Sequence, residues 1–67
     1  MNMQMVSSSA IRAVGYDERT MRMKIVFTSG GAYDFCGVPL FVYVGLMTAG
    51  SKGRYYNLHI RDRYQCF

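Results

Sequence analysis

The chain has little of what active sites and metal centres are made from. Among its 67 residues are one histidine, His59, two cysteines, Cys36 and Cys66, and four carboxylates, Asp17, Glu18, Asp34 and Asp62. Cys36, His59 and Cys66 include no close Cys or His pair of the kind structural zinc sites use, so no metal and no cofactor is expected. No spacing selects a nucleophile, a base and an orienting acid from Cys36, Ser7, Ser8, Ser9, His59, Asp34 and Asp62. A chain this short also has little volume for an enclosed pocket. An enzyme is therefore not expected, and no small-molecule substrate is evident. The segment Gly50 to Gly53 is not a phosphate-binding P-loop, because the required spacing and preceding strand are missing.

Long apolar runs are also lacking. Val38 to Met47 is too short to span a bilayer, which argues against a membrane partner. The N-terminal MNMQMV has neither the basic region nor the apolar length of a secretory signal. A reducing cytoplasm is the expected compartment. Two cysteines permit at most one disulfide, and the simplest reading makes Cys36 a small residue on a strand and Cys66 a thiol at a frayed end.

What is present is a basic excess, unevenly placed. The net charge is +4. Residues 1–50 carry four cations against three carboxylates, a net +1, whereas residues 51–67 carry Lys52, Arg54, Arg61 and Arg63 against Asp62, a net +3. The end of the chain is suited to an anionic partner, or is simply a solvated face that keeps a small protein soluble.

The length suits a single domain over 1–67, with residues 1–6 as a loose leader and the serine triplet continuing it or anchoring it to the first strand. Ile11 to Tyr16 reads as that strand. Ile11 is out of phase with Val14 and Tyr16, which predicts a bulge or a strand covered on both faces. Asp17 to Thr20 is a polar turn. From Met21 to Val38 the pattern is a hairpin: Met21, Met23, Ile25 and Phe27 on one face, Arg22 and Lys24 on the other, Gly30 and Gly31 supplying positive-φ turn positions, and Tyr33 and Phe35 returning on the apolar face as core.

Pro39 opens a helix that runs to Ala49 and stops at Gly50. Phe41, Val42, Leu46 and Gly45 are the expected inward set. Leu40, Tyr43, Val44 and Met47 leave hardly any polar side, so this helix is expected to be covered on more than one face. Ser51 reads as the N-cap of a shorter helix extending toward Tyr64, with Tyr56, Ile60 and Tyr64 inward and Lys52, Tyr55, His59 and Arg63 on a neighbouring face. The expected architecture is α+β: a three-stranded antiparallel meander packed with one helix and a shorter C-terminal helix.

Taken in order, Ser7-Ser8-Ser9, Val14-Gly15-Tyr16-Asp17, Tyr33-Asp34-Phe35, Val38-Pro39, Ser51-Lys52-Gly53-Arg54-Tyr55-Tyr56-Asn57 and Ile60-Arg61 resemble the KTSC domain, over about Val6 to Tyr64. That short domain is found alone in bacterial proteins and at the C-terminus of some lysyl-tRNA synthetases. The resemblance implies no established activity, and RNA binding has been suggested through the association with the synthetases. Two departures stand out. The family's Tyr-x-Tyr motif has Phe35 at its second position here, and Leu40, Phe41 and Val44 replace residues that tend to be polar in other members.

Two functions follow as expectations. The first is a noncatalytic module that binds RNA or another nucleic acid through Lys52, Arg54, Tyr55, His59, Arg61 and Arg63, cations to follow phosphate and aromatics on which bases stack. The second is a protein-interaction or assembly subunit, most economically a homodimer, through Leu40, Phe41, Tyr43, Val44 and Met47.

Overall fold

The computed structural model describes residues 1–66. Strands β1 (Met3–Met5), β2 (Ile11–Asp17), β3 (Arg22–Phe27) and β4 (Ala32–Phe35) precede helices α1 (Leu40–Thr48) and α2 (Lys52–His59). The strands form an antiparallel meander in sheet order β1-β2-β3-β4. The α+β class is as expected, but the sheet has four strands rather than three. The segment taken for a loose leader is β1, with Met3 paired to Gly15 and Met5 to Ala13. Small residues on the outer side of β2 leave room for it: a Cβ on Gly15 would meet the side chains of Met1 and Met3.

The out-of-phase Ile11 is resolved by a bulge. Ile11 pairs with Phe27 and Ala13 with Val26, so the register shifts across Arg12. The extra residue returns Ile11 to the face of Val14. Ser8 Oγ accepts from the backbone N–H groups of Ala10 and Ile11 at 3.2 and 3.3 Å, so the serines anchor the chain at the start of β2.

The core lies on one side of the sheet, where Ile11, Val14, Met23, Ile25 and Phe35 meet Val38, Val42, Leu46 and Ile60. Met21 does not join it. At φ 58° it belongs to the turn before β3 and is exposed. In the next turn Gly30, at φ 107°, is the glycine that needs its freedom. Phe27 N–H closes that turn on Gly31 O at 2.8 Å.

Pro39 is the residue that caps α1 rather than its first helical position. Val42 and Leu46, four apart, form the buried stripe, while Phe41 is 73% exposed, contrary to its expected inward placement. Successive helical residues lie about 100° apart, so seating Val42 and Leu46 turns Phe41 away. The helix is fixed along its flank by Tyr16, whose ring stacks on Tyr43 at 4.7 Å and whose Oη donates to Val38 O at 2.7 Å.

Two side chains of α2 dock it on α1. Lys52 Nζ donates to Met47 O at 3.0 Å and Ala49 O at 3.2 Å, partnering carbonyls left open where α1 ends. Tyr55 lies against Gly45, so that a methyl group there would collide with its phenol. Ser51 caps α2 as expected, accepting from Arg54 N–H at 3.4 Å. The helix ends at His59, short of the expected Tyr64. The N–H groups of Ile60 and Arg61 both turn to Tyr56 O, and Asp62 adopts φ 62°.

The cysteines are not separate thiols. Cys36 and Cys66 form a disulfide with Cα atoms 4.9 Å apart, and Cys36 N–H donates to Tyr64 O at 3.0 Å. The tail is thereby fastened beside β4. No helix among the described residues is long and apolar enough to cross a membrane.

Two stability effects follow. Replacing both cysteines (C36S with C66S) opens a cross-link of sequence separation 30. Chain entropy puts the expected loss at about 3 to 4 kcal/mol, read from urea unfolding. An unchanged midpoint would mean that the bond does not tether the tail. Tyr55→Ala should cost about 2 kcal/mol through lost helix–helix packing, with Tyr55→Phe close to the wild type; equal stability of all three proteins would contradict the docking role.

Candidate nucleic-acid interface

The six residues expected to contact nucleic acid fall into two groups. Lys52 and Tyr55 face into the structure: the lysine ammonium is held by two α1 carbonyls and the tyrosine by Gly45. His59 is exposed, with its ring tilted against Tyr55 at a centroid distance of 4.5 Å. Arg54, Arg61 and Arg63 are exposed, Arg54 in the first turn of α2 and the others in the turns beyond it.

The expected common face of Lys52, Tyr55, His59 and Arg63 therefore does not form. Helical spacing cannot carry Arg63 onto that face once the helix has ended at His59.

Few carboxylates oppose the cations. Arg61 Nε lies 3.9 Å from Asp62 and Lys24 Nζ 3.9 Å from Asp34, both in exposed pairs that contribute little to stability. Among the described residues Arg12, Arg19, Arg22, Arg54 and Arg63 have no carboxylate within salt-bridge distance. Asp17 is occupied locally: the backbone N–H of Arg19 donates to it at 3.0 Å and lowers its carboxyl below the usual range.

The residues of the second expected surface differ in exposure. Leu40, Phe41 and Val44 are 45%, 73% and 47% exposed and form an apolar ridge on a helix without a charged residue. Tyr43 and Met47 are half-buried and pack toward the core.

A feature the sequence reading did not include is a cleft of about 460 Å³ between β4 and the fastened tail. Tyr33, Tyr56, Tyr64 and Arg63 line it. Phe35 is core as expected, but its partner in the alternation, Tyr33, is 57% exposed. Tyr56 lies near Phe35, at 6.0 Å, while Tyr33 is closer to the turn and makes an edge contact with Phe27 at 5.6 Å. Burial raises the Tyr56 phenol above its ordinary value, with nearby Asp62 and Tyr33 adding to the effect and Arg61 opposing it. The signal that could have revealed the cleft is the cysteine pair, which returns residue 66 to the end of β4.

No cluster of three or more metal-binding side chains occurs among the described residues, and the disulfide removes both sulfurs as ligands.

Comparison with known proteins bears on the fold and the family. A KTSC domain protein from Yersinia pestis has a crystal structure that superposes with a TM-score of 0.93 at 36% identity, over 98% of this chain and 93% of that one. A protein of Tsukamurella paurometabola is 40% identical over 63 residues, 94% of each chain. A lysine–tRNA ligase of Nostoc punctiforme is 33% identical over 57 residues, which are 85% of this chain and 10% of the ligase. The KTSC domain model matches residues 7–64, and the chain belongs to the KTSC domain family.

Proposed function

We propose that the protein is a noncatalytic module that binds single-stranded RNA through its C-terminal segment. The observation that carries the reading is the set Arg54, Arg61 and Arg63, exposed on α2 and the turns after it and, among the described residues, opposed there only by the solvent-exposed Asp62. Guanidinium groups engage phosphate through paired donors and stack on base planes, so a few exposed arginines near aromatic rings suit a flexible single strand. The match to a segment of lysine–tRNA ligases, enzymes whose substrate is an RNA, supports the same direction. Lys52 and Tyr55 contribute by holding α2 in place, and His59 flanks the surface. A cytoplasmic location goes with this reading, and the Cys36–Cys66 bond would there have to hold against a reducing pool.

A second reading draws on the α1 ridge. Phe41 leaves most of its ring in water, and a second copy meeting it about a twofold axis would cover Leu40, Phe41 and Val44 on both chains, with Tyr43 and Met47 at the margin. Three partly exposed side chains offer a few hundred Å² against the roughly 800 Å² per partner of a standard interface, so such a homodimer would be weak.

Binding to a short single-stranded RNA should lose affinity with a logarithmic salt slope near −2, roughly 20-fold between 50 and 200 mM, if three phosphates are engaged. Arg54→Glu with Arg61→Glu should lower affinity by more than about tenfold at low salt. A flat titration at low salt would end the RNA reading. For the second reading, sedimentation should give a mass that rises with protein concentration and stays at one chain in Phe41→Asp; a wild-type mass of one chain throughout would remove it.

A further inference from the structure

The cleft beside β4 combines features that general charge attraction does not account for. Tyr33 stands at its edge with more than half of its surface in water, while Tyr56 and Tyr64 present half-buried rings within. Asp62 and Arg63 share the lining, and Asp34 borders it from β4 with its side chain toward Lys24 on the sheet's other face. Lys24 lies 3.9 Å from Asp34 and Arg61 lies 3.9 Å from Asp62, so each carboxylate has a cation beside it. Arg63 is the lining cation, and among the described residues it has no carboxylate within salt-bridge distance.

The cleft is also held open in advance. Its tail wall is fixed by the Cys36–Cys66 bond and by the 3.0 Å bond from Cys36 N–H to Tyr64 O, so a ligand would not have to order that wall on entry. A volume of about 460 Å³ lies in the range of sites for small planar ligands.

We propose that this cleft is the subsite for one unstacked nucleobase that carries an exocyclic amine, lying on Tyr33, its amine toward Asp62 and its phosphate at Arg63. Every base has a face that can stack on a tyrosine, whereas at position 4 cytosine presents an amine that donates to a carboxylate and uracil presents a carbonyl oxygen that a carboxylate repels, leaving uracil only its N3–H as a donor. The proposal rests on the RNA reading and adds to it a choice among bases that arginines alone would not make.

The test is an amide nuclear magnetic resonance titration of the full chain with cytidine 5′-monophosphate, with uridine 5′-monophosphate and inorganic phosphate as comparisons. The amides of Tyr33, Asp34, Arg63 and Tyr64 should move with the cytidine nucleotide, less with the uridine nucleotide and least with phosphate. Tyr33→Ala should weaken binding by about 5- to 100-fold, the range for loss of one stacked base, while Tyr33→Phe should retain it. Cleft amides that stay still, nucleotide binding unchanged in Tyr33→Ala, or equal responses to the two nucleotides would each overturn the proposal. A short oligonucleotide in the same experiment separates it from the broader reading. If the oligonucleotide moves Arg54 and Arg61 while the cleft stays silent, the subsite falls and RNA binding stands. If cytidine nucleotide fills the cleft but no oligonucleotide binds, RNA binding falls instead.

Discussion

A four-stranded sheet with one apolar face must have that face covered, and in a chain of 67 residues the covering comes down to Val42 and Leu46 of α1, Ile60 after α2, and Val38 between sheet and helices. Burial of this face is the dominant favourable term for a domain of this size, so every other side chain takes the position that the seating of these four leaves to it. The bulge at Arg12 serves the same end by returning Ile11 to the face of Val14. Phe41 shows the cost of the arrangement: turning Val42 and Leu46 inward places a phenylalanine in water.

The same requirement explains why the basic residues of the last quarter do not act alike. α2 has to be held against α1, and its own residues do this, Lys52 through the carbonyls at the end of α1 and Tyr55 through the space that Gly45 provides. A cation already donating to two carbonyls is a poor phosphate ligand. Arg54, Arg61 and Arg63 have no such duties, and they face the solvent. The division between structural and available cations is set by proximity to the helix–helix seam rather than by residue type.

Much of this was legible in advance because it depends on local rules. The alternation from Met23 to Phe27, the glycine turn, the misfit of Ile11, the start of a helix at Pro39 and the Ser51 cap all follow from neighbours in sequence. The KTSC resemblance was legible for the same reason, as an ordered series of short motifs. What could not be read depended on distant partners. The pairing of Met3 and Met5 with Gly15 and Ala13 needs small residues on a strand that has yet to form, and the sequence pattern of β1 alone is too short to announce it. The end of α2 at His59 depends on Tyr56 O receiving two donors, and the cleft beside Tyr33 depends on a tail returned by Cys66. The face expected to carry Lys52, Tyr55, His59 and Arg63 was not legible for the same reason, because it needs a helix that continues past His59.

Lys52 holds the fold, whereas Arg54, Arg61 and Arg63 are the cations proposed to meet a ligand. Side-chain nitrogen signals report on this division directly, through a ¹H–¹⁵N spectrum of arginine Nε and lysine Nζ groups recorded as single-stranded RNA is added. The account predicts that the Arg54, Arg61 and Arg63 signals move while that of Lys52 stays in place, still bonded to Met47 and Ala49. Movement of Lys52 together with the arginines, or stillness of all four, would contradict it.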